Sequence, residues 1–506
     1  MKLTRILLSI SFFALSLVTF IVAKDQPGMK FTQLPSTNSP LVTFRIILRA
    51  GSMNDPQGKE GLNALTAELI ANGGTKDLSY SQVVEKLYPW SADIGVLSDQ
   101  EITTFMGQVH QDHLEKFYKL MSELLLQPRF DPSDFSRLKD EALNYIQNSL
   151  RSQNDEELGK QSLNALLFEN HPYGKLDVGT VQGLTSITLD DVKEYYKTMY
   201  TQANLWVGIA GGYPASLVET IKSDFSALPA GSFQEVALSA AEPIKDMEVM
   251  VVEKPTRAYG VSMGYTIPIT RKDKDFYALM VAGSYFGEHR TFNGVLMNRL
   301  RGDRGLNYGD YAYIEKFEGG LGSNGVFPTL NTPLRQQFFS IWLRPIPPEN
   351  THFGIRNALF ELKNLVENGI SQENFEQMRK FVINYSKLAA STMSRRLGYM
   401  MDSEFYGSDY YIDRIERELK MLTVDDVNAA IKKYLHPSNI KIVAVVDEGK
   451  GKDFLNAMTT NAPSPIKYQS PVSQNILDQD KLIEIFPMNV NTAKSKVVNA
   501  KELFER

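Results

Sequence analysis

The 506-residue chain has no cysteine, which excludes a disulfide framework, a thiolate metal site and a thiol nucleophile. Histidine is scarce as well, at 6 residues, so any metal would rest on few imidazoles and on carboxylates. Beyond residue 23 no apolar run is long enough to span a bilayer. Positive charge is not in excess either: 54 basic against 59 acidic side chains leave a net charge of -5, too little field to attract a nucleic acid. Neither serine-hydrolase nor dinucleotide chemistry is expected of the chain.

What is present is enough apolar material, 43% of residues, to bury sizeable cores in two or three domains. Lys2 and Arg5 precede an apolar run from Ile6 to Ala23. This reads as a secretory signal over residues 1–23, with an uncleaved membrane anchor as the alternative. The remainder is expected outside the cytoplasmic membrane, in the periplasm if the source is a Gram-negative bacterium.

After the leader, Leu41 to Ala50 reads as a largely buried strand and Leu62 to Ile70 as a helix stopped by Gly73-Gly74. Ala92 to Val96 and Ile102 to Val109 read as paired strands. Asp112 to Glu115 is expected to form a capping box, and a long helix is expected from Asp131 to about Ser152. The second half repeats the end of the first. Thr188-Leu189-Asp190-Asp191-Val192 matches Thr423-Val424-Asp425-Asp426-Val427, and the strand at Asn204 matches that at Asn439. Both pairs are 235 residues apart, which implies a duplicated domain. The expected organisation is α+β, with domains over residues 28–235 and 243–460 and a tail over residues 467–506.

Between a helix expected from Phe292 to Arg299 and a following strand, Arg301 stands seven residues before Tyr308, across a glycine turn. A guanidinium offers a fixed fork of N–H donors and a phenol one directional O–H. Such a pair suits a peptide carbonyl or carboxylate, although a merely solvated corner would read the same way.

The strand into Ala50-Gly51-Ser52, the Gly61-Leu62 helix start, His171-Pro172-Tyr173-Gly174 and the Leu-Arg…Gly-Leu-x-Tyr pattern at 300–308 together resemble the pitrilysin/insulinase family of zinc metallopeptidases. The resemblance implies two duplicated α/β domains, helices on mostly antiparallel sheets, forming half of a clamshell chamber. It also implies that Arg301 and Tyr308 hold substrate. Active members carry H-x-x-E-H on the first-half helix. In that register the first ligand is Ala64, the general base is Ala67 and only Glu68 could touch a metal. The third-ligand position falls near Asn144 or Tyr145, with Glu141 a turn away. A catalytic zinc needs about three protein ligands, so no metal is expected in this chain, and Glu68 is expected to be an exposed helix carboxylate. His110 and His113 are three apart but are expected on opposite sides of a strand-to-helix junction.

The expected function is therefore that of a non-catalytic, Arg/Tyr-supplying subunit of an exported two-chain zinc peptidase. Its heterodimer partner would be a sister chain carrying H-x-x-E-H and the zinc, and its substrate a peptide. The alternative is a pseudo-peptidase that binds peptides or scaffolds an envelope complex.

Overall fold

A computed structural model describes residues 28–287, 294–317, 326–468 and 470–506. The expected leader and Phe292, where a helix was expected to start, lie outside them. Eleven described strands form two sheets. The first contains β1 (Lys30–Pro35), β2 (Leu41–Leu48), β3 (Asp93–Ser98), β4 (Thr103–His110) and β5 (Leu205–Gly211) in the order β1-β5-β2-β4-β3. The second contains β6 (Glu248–Glu253), β7 (Tyr259–Ile267), β8 (Asp310–Tyr313), β9 (Gln337–Ile346), β10 (Lys441–Val446) and β11 (Lys496–Asn499) in the order β11-β6-β10-β7-β9-β8. Apart from β11, the second order repeats the first strand for strand. In both halves one pair is parallel, β1 with β5 and β6 with β10, and the other pairs of the repeated order are antiparallel.

Local chemistry explains the repetition. Thr188 and Thr423 each accept from the backbone N–H of an aspartate three residues on, and Asp191 and Asp426 reach back to the cap residue. Two reciprocal caps start two eleven-residue helices, each followed by a buried central strand. The chain breaks the expected pattern elsewhere. Asp112 forms no capping box: a 3-10 turn, Gln111–His113, precedes the helix Leu114–Leu126, and the His110 ring accepts from the Asp112 N–H. The long helix is α-helical over Pro132–Asn144 and π-helical over Tyr145–Gln153.

Each sheet has one face covered by helices of its own half. The other face is covered by a helix from the opposite half. Helix Asp155–Leu167 lies on β7 and β10, so Leu158 and Leu163 share a core with Met250, Val252, Val443 and Val445. Helix Met393–Phe405 lies on β1, β2 and β5, where Leu397 and Met401 pack on Ile47, Trp206 and Ala210. Full burial of such side chains contributes about 1.5–3 kcal/mol each. Close approach needs glycine. A Cβ on Gly208 of β5 would lie 2.4 Å from Met401 Sδ, and one on Gly159 would lie 3.2 Å from Ser262 Oγ.

Buried charges stitch the exchanged helix in place. Asp402 accepts from Arg271 Nη1 at 3.2 Å and from Asn331 N and Nδ2 at 3.1 and 2.9 Å. Asn331 Oδ1 in turn accepts from Arg45 of β2. The C-terminal segment packs on the body. Its β11 pairs with β6, Asp480 binds the buried Arg304, and Arg151 donates to Leu503 O. Residues 229–245 join the halves without regular structure. Asp402→Ala, which leaves Arg271 with Glu315 alone and the Asn331 backbone N–H without its acceptor, is expected to cost about 1–3 kcal/mol, read as a lowered urea midpoint.

Candidate functional site

The expected Arg/Tyr pair is assembled by a closed loop. A π-helical turn, Met297–Gly302, ends at Asp303, and Gly305 turns the chain with φ 62°, a region that glycine enters without a Cβ penalty. The N–H of Gly305 donates to Arg301 O at 2.9 Å and that of Leu306 to Leu300 O at 3.1 Å. Asn307 Nδ2 then donates to Arg344 O at 2.8 Å, and the Arg344 N–H to Gly309 O at 3.1 Å. These bonds tie the loop to β9. They also set Arg301 over the Tyr308 ring, 4.7 Å from its centroid.

Tyr308 is 70% exposed. Arg301 is half-buried, touches Met297 Sδ at 3.9 Å and forms no ion pair among the described residues. Desolvating a guanidinium without a carboxylate partner is costly, which leaves this one equipped to take an anion or a carbonyl.

Strand alternation divides the neighbourhood into two faces. Tyr311 and Tyr313 of β8 pack with Met297, Phe317 and Trp342 on the face that points to the first half. Ala312 faces the opposite core, and Asp310 shares that side by strand alternation. The Asp310 carboxyl is fully buried, accepts from Asn307 Nδ2 at 2.7 Å and leaves Oδ2 without a partner among the described residues. Burial lifts its pKa from 3.8 to about 8, against the opposing effects of the Asn307 bond and the Arg301 charge.

The first-half helix Leu62–Asn72 carries the positions of the expected metal motif. Ala64 and Ala67 are buried methyl groups with no donor to offer a cation. Glu68 departs from expectation, because it is half-buried rather than exposed and accepts from Asn72 Nδ2 at 2.7 Å. Burial raises its pKa, and Glu141 adds to this while Arg137 opposes it. Glu141 itself is bound to Arg137, which also holds Asp134 and Asn72 O. A guanidinium therefore balances the carboxylates at this locus. A zinc does not fit the residues, and no group of three potential metal ligands exists among the described residues. No hydrogen bond or ion pair among the described residues joins this helix to Arg301 or Tyr308.

The histidines have separate tasks. His110 Nδ1 accepts from the Asp112 N–H at 3.3 Å, whereas His113 stacks on Trp90. His171 caps its turn by accepting from the Tyr173 N–H, His436 stacks on Tyr265, and burial pushes His352 down to about 4. His289 lies outside the described residues.

Two glycine patterns carry the letters of a motif without its structural context. Gly260-Val261-Ser262-Met263-Gly264 has the letters of a nucleophile elbow, but it lies inside β7 with Ser262 buried rather than at a strand-to-helix turn. Gly320-Leu321-Gly322-Ser323-Asn324-Gly325 has the letters of a dinucleotide fingerprint and lies outside the described residues. No helix stands between residue 326 and β9, where that fingerprint would need one.

Sequence reading did not find Arg344 and Glu156. Arg344 of β9 lies 5.8 Å from the Tyr308 ring and donates through Nε to Glu156 Oε2 at 3.0 Å. Glu156 belongs to the exchanged helix of the other half. The only hint in the sequence is that Arg344 follows Trp342 at strand spacing on a face that carries aromatics.

Two family models match the chain. One, described as Insulinase (Peptidase family M16), covers residues 32–180, and the other, described as Peptidase M16 inactive domain, covers residues 186–382. A Helicobacter pylori protein named Non-peptidase homolog YmxG is 21% identical over 82% of this chain and 90% of its own length. An Arabidopsis thaliana protein named Probable mitochondrial-processing peptidase subunit beta is 23% identical, over 51% of this chain and 49% of its own length. The solved peptidase M16 inactive domain from Pseudomonas fluorescens shares the fold with a TM-score of 0.71 at 22% identity, covering 88% of this chain and 98% of that one.

Metal analysis of the purified chain is expected to return far less than one zinc per molecule, and stoichiometric zinc would overturn this account of the motif helix. Asp310 generates a second expectation. Its folded pKa lies above its unfolded value, so the stability it contributes is complete below about pH 4 and is lost as pH rises through about 8. Relative to Asp310→Asn, the native chain should lose stability across that window, measured by urea unfolding at a series of pH values.

Proposed function

Because the chain belongs to the insulinase family, peptidase family M16, and carries alanine at two positions of the metal motif, we propose that it supplies the Arg/Tyr pair to a two-chain peptidase. The observation that carries this reading is the contrast between two loci. The motif helix offers Ala64 and Ala67 where donors would be needed, while Arg301 stands without a carboxylate partner among the described residues, against an exposed Tyr308. A sister chain carrying H-x-x-E-H would provide the zinc, and the two chains would enclose a chamber for unfolded peptides. Export through residues 1–23 is part of the proposal. The relative named as a subunit of a processing peptidase supports a division of labour between chains.

In this reading the Arg301 guanidinium binds a carbonyl or carboxylate of the peptide and fixes the chain in place. The Tyr308 hydroxyl donates to the scissile carbonyl oxygen as negative charge gathers on it. A donor of this kind is worth about 2.7–4 kcal/mol in the transition state. The relative named as a non-peptidase homologue favours a second reading, in which the same pair captures peptides without hydrolysis.

Reconstitution with an H-x-x-E-H sister chain separates the two. Arg301→Ala and Tyr308→Phe are each expected to lower kcat/KM of the pair by about 100- to 1,000-fold, with assembly unchanged in gel filtration. Unchanged turnover in both variants would overturn the assigned roles. Peptide binding without turnover, whichever H-x-x-E-H chain is added, would establish the capture reading instead.

A further inference from the structure

The charges around Tyr308 do not balance. Three cations meet on the face of the second sheet that points to the first half: Arg301, Arg344 and Lys160. Lys160 lies 3.8 Å from the Trp342 ring centroid and 2.8 Å from Glu156 Oε1, with Glu157 further away at 4.0 Å. Arg344 takes the other oxygen of the same carboxylate through Nε, and its side chain remains 39% exposed. Glu156 thus serves two cations at once. Burial works to raise its pKa, but Lys160 and Arg344 outweigh that and hold it below the ordinary value. Arg301 has no carboxylate partner among the described residues. The nearby Asp310 faces the opposite core, where burial favours its neutral form.

The arrangement is rigid where it needs to be. Asp155, one residue before Glu156, accepts from Thr256 Oγ1 at 2.6 Å and pairs with Lys254, so the start of the exchanged helix is fixed to the second half. Arg344 is held at its backbone by Gly309 and Asn307 and at its side chain by Glu156. Both Arg301 and Arg344 lie close to the Tyr308 ring, at 4.7 and 5.8 Å from its centroid. The two guanidiniums therefore stand no further apart than about three extended residues, at ~3.4 Å each, can bridge.

We propose that Arg344, oriented by Glu156 of the opposite half, is a specificity-determining residue that selects peptides bearing a carboxylate close to the segment held by Arg301 and Tyr308. The inference rests on the peptide-binding reading above and names its substrate class, acidic or carboxyl-terminal peptide segments. Arg344 is the part of the pocket that reads charge. Glu156 is a positioning residue, because its bond to Nε, together with the Tyr311 contact, fixes the half-exposed Arg344 guanidinium beside the Tyr308 ring. The carboxylate could come from an acidic side chain or from a free peptide carboxyl terminus, and the two are told apart by experiment.

Fluorescence polarisation of the purified full chain tests this with labelled twelve-residue unstructured peptides. One pair differs only by a central Glu or Gln, and a second pair by a free or amidated carboxyl terminus. The carboxylate member of one pair is expected to bind about tenfold more tightly than its neutral twin, the size of one charge-assisted contact. Arg344→Gln should bring that ratio to one, and Glu156→Gln should reduce it, with thermal unfolding recorded to show that both variants are folded. A ratio lost in the Glu/Gln pair assigns a side-chain carboxylate, and one lost in the free/amidated pair assigns the terminus. Peptide binding with no carboxylate preference, or a preference that survives in folded Arg344→Gln, overturns this inference and leaves the peptide-binding reading intact. Failure of the native chain to bind any of the four peptides overturns both.

Discussion

Each sheet of this molecule buries its second face only because the other half lends it a helix. A sheet with one bare apolar face is unstable in water. Here the helices Asp155–Leu167 and Met393–Phe405 solve the problem by exchange. The ion pairs beside Tyr308 follow from that exchange. The same helix that covers β7 and β10 brings Glu156 to Arg344 and Lys160 to Trp342. Glu156 and Lys160 thus reach the pocket from one half, while Arg301, Tyr308 and Arg344 come from the other.

The alternation of β8 does the remaining division. Consecutive residues of a strand point to opposite faces, so Tyr311 and Tyr313 line the apolar floor while Asp310 is sent into the core. A carboxyl one residue earlier or later would have faced Arg344 and neutralised it. The motif helix presents the complementary case. With alanine at two positions and an arginine network around Glu68 and Glu141, it is a packed element of the first core. The family, the duplicated fold and the loss of the metal residues are coherent with one another.

Local signals in the sequence were readable where the physics is local. The threonine-aspartate caps announced both repeats, and the Gly305 turn announced the loop that brings Arg301 to Tyr308. The expected cap at Asp112 failed because the His110 ring satisfied the Asp112 N–H and a 3-10 turn intervened. Glu68 was misread as exposed because its burial depends on Asn72 and on the Arg137 network of another helix. The exchange itself left no mark in periodicity, since a helix shows one apolar stripe whichever half it covers. Glu156 and Arg344 are 188 residues apart, and nothing in either neighbourhood names the other.

The exchanged helices also impose an order on the birth of the molecule. The first sheet is complete once β5 has been made, yet the helix that covers Ile47, Trp206 and Ala210 is encoded about 180 residues later. At ribosomal speeds of about 5–20 residues per second, that strip stays open to solvent for roughly ten to forty seconds. The second sheet has no such interval, because helix Asp155–Leu167 precedes it in the chain. The nascent first half is therefore the stage at which the protein depends on a chaperone or on speed, and its vulnerability ends when residue 405 emerges.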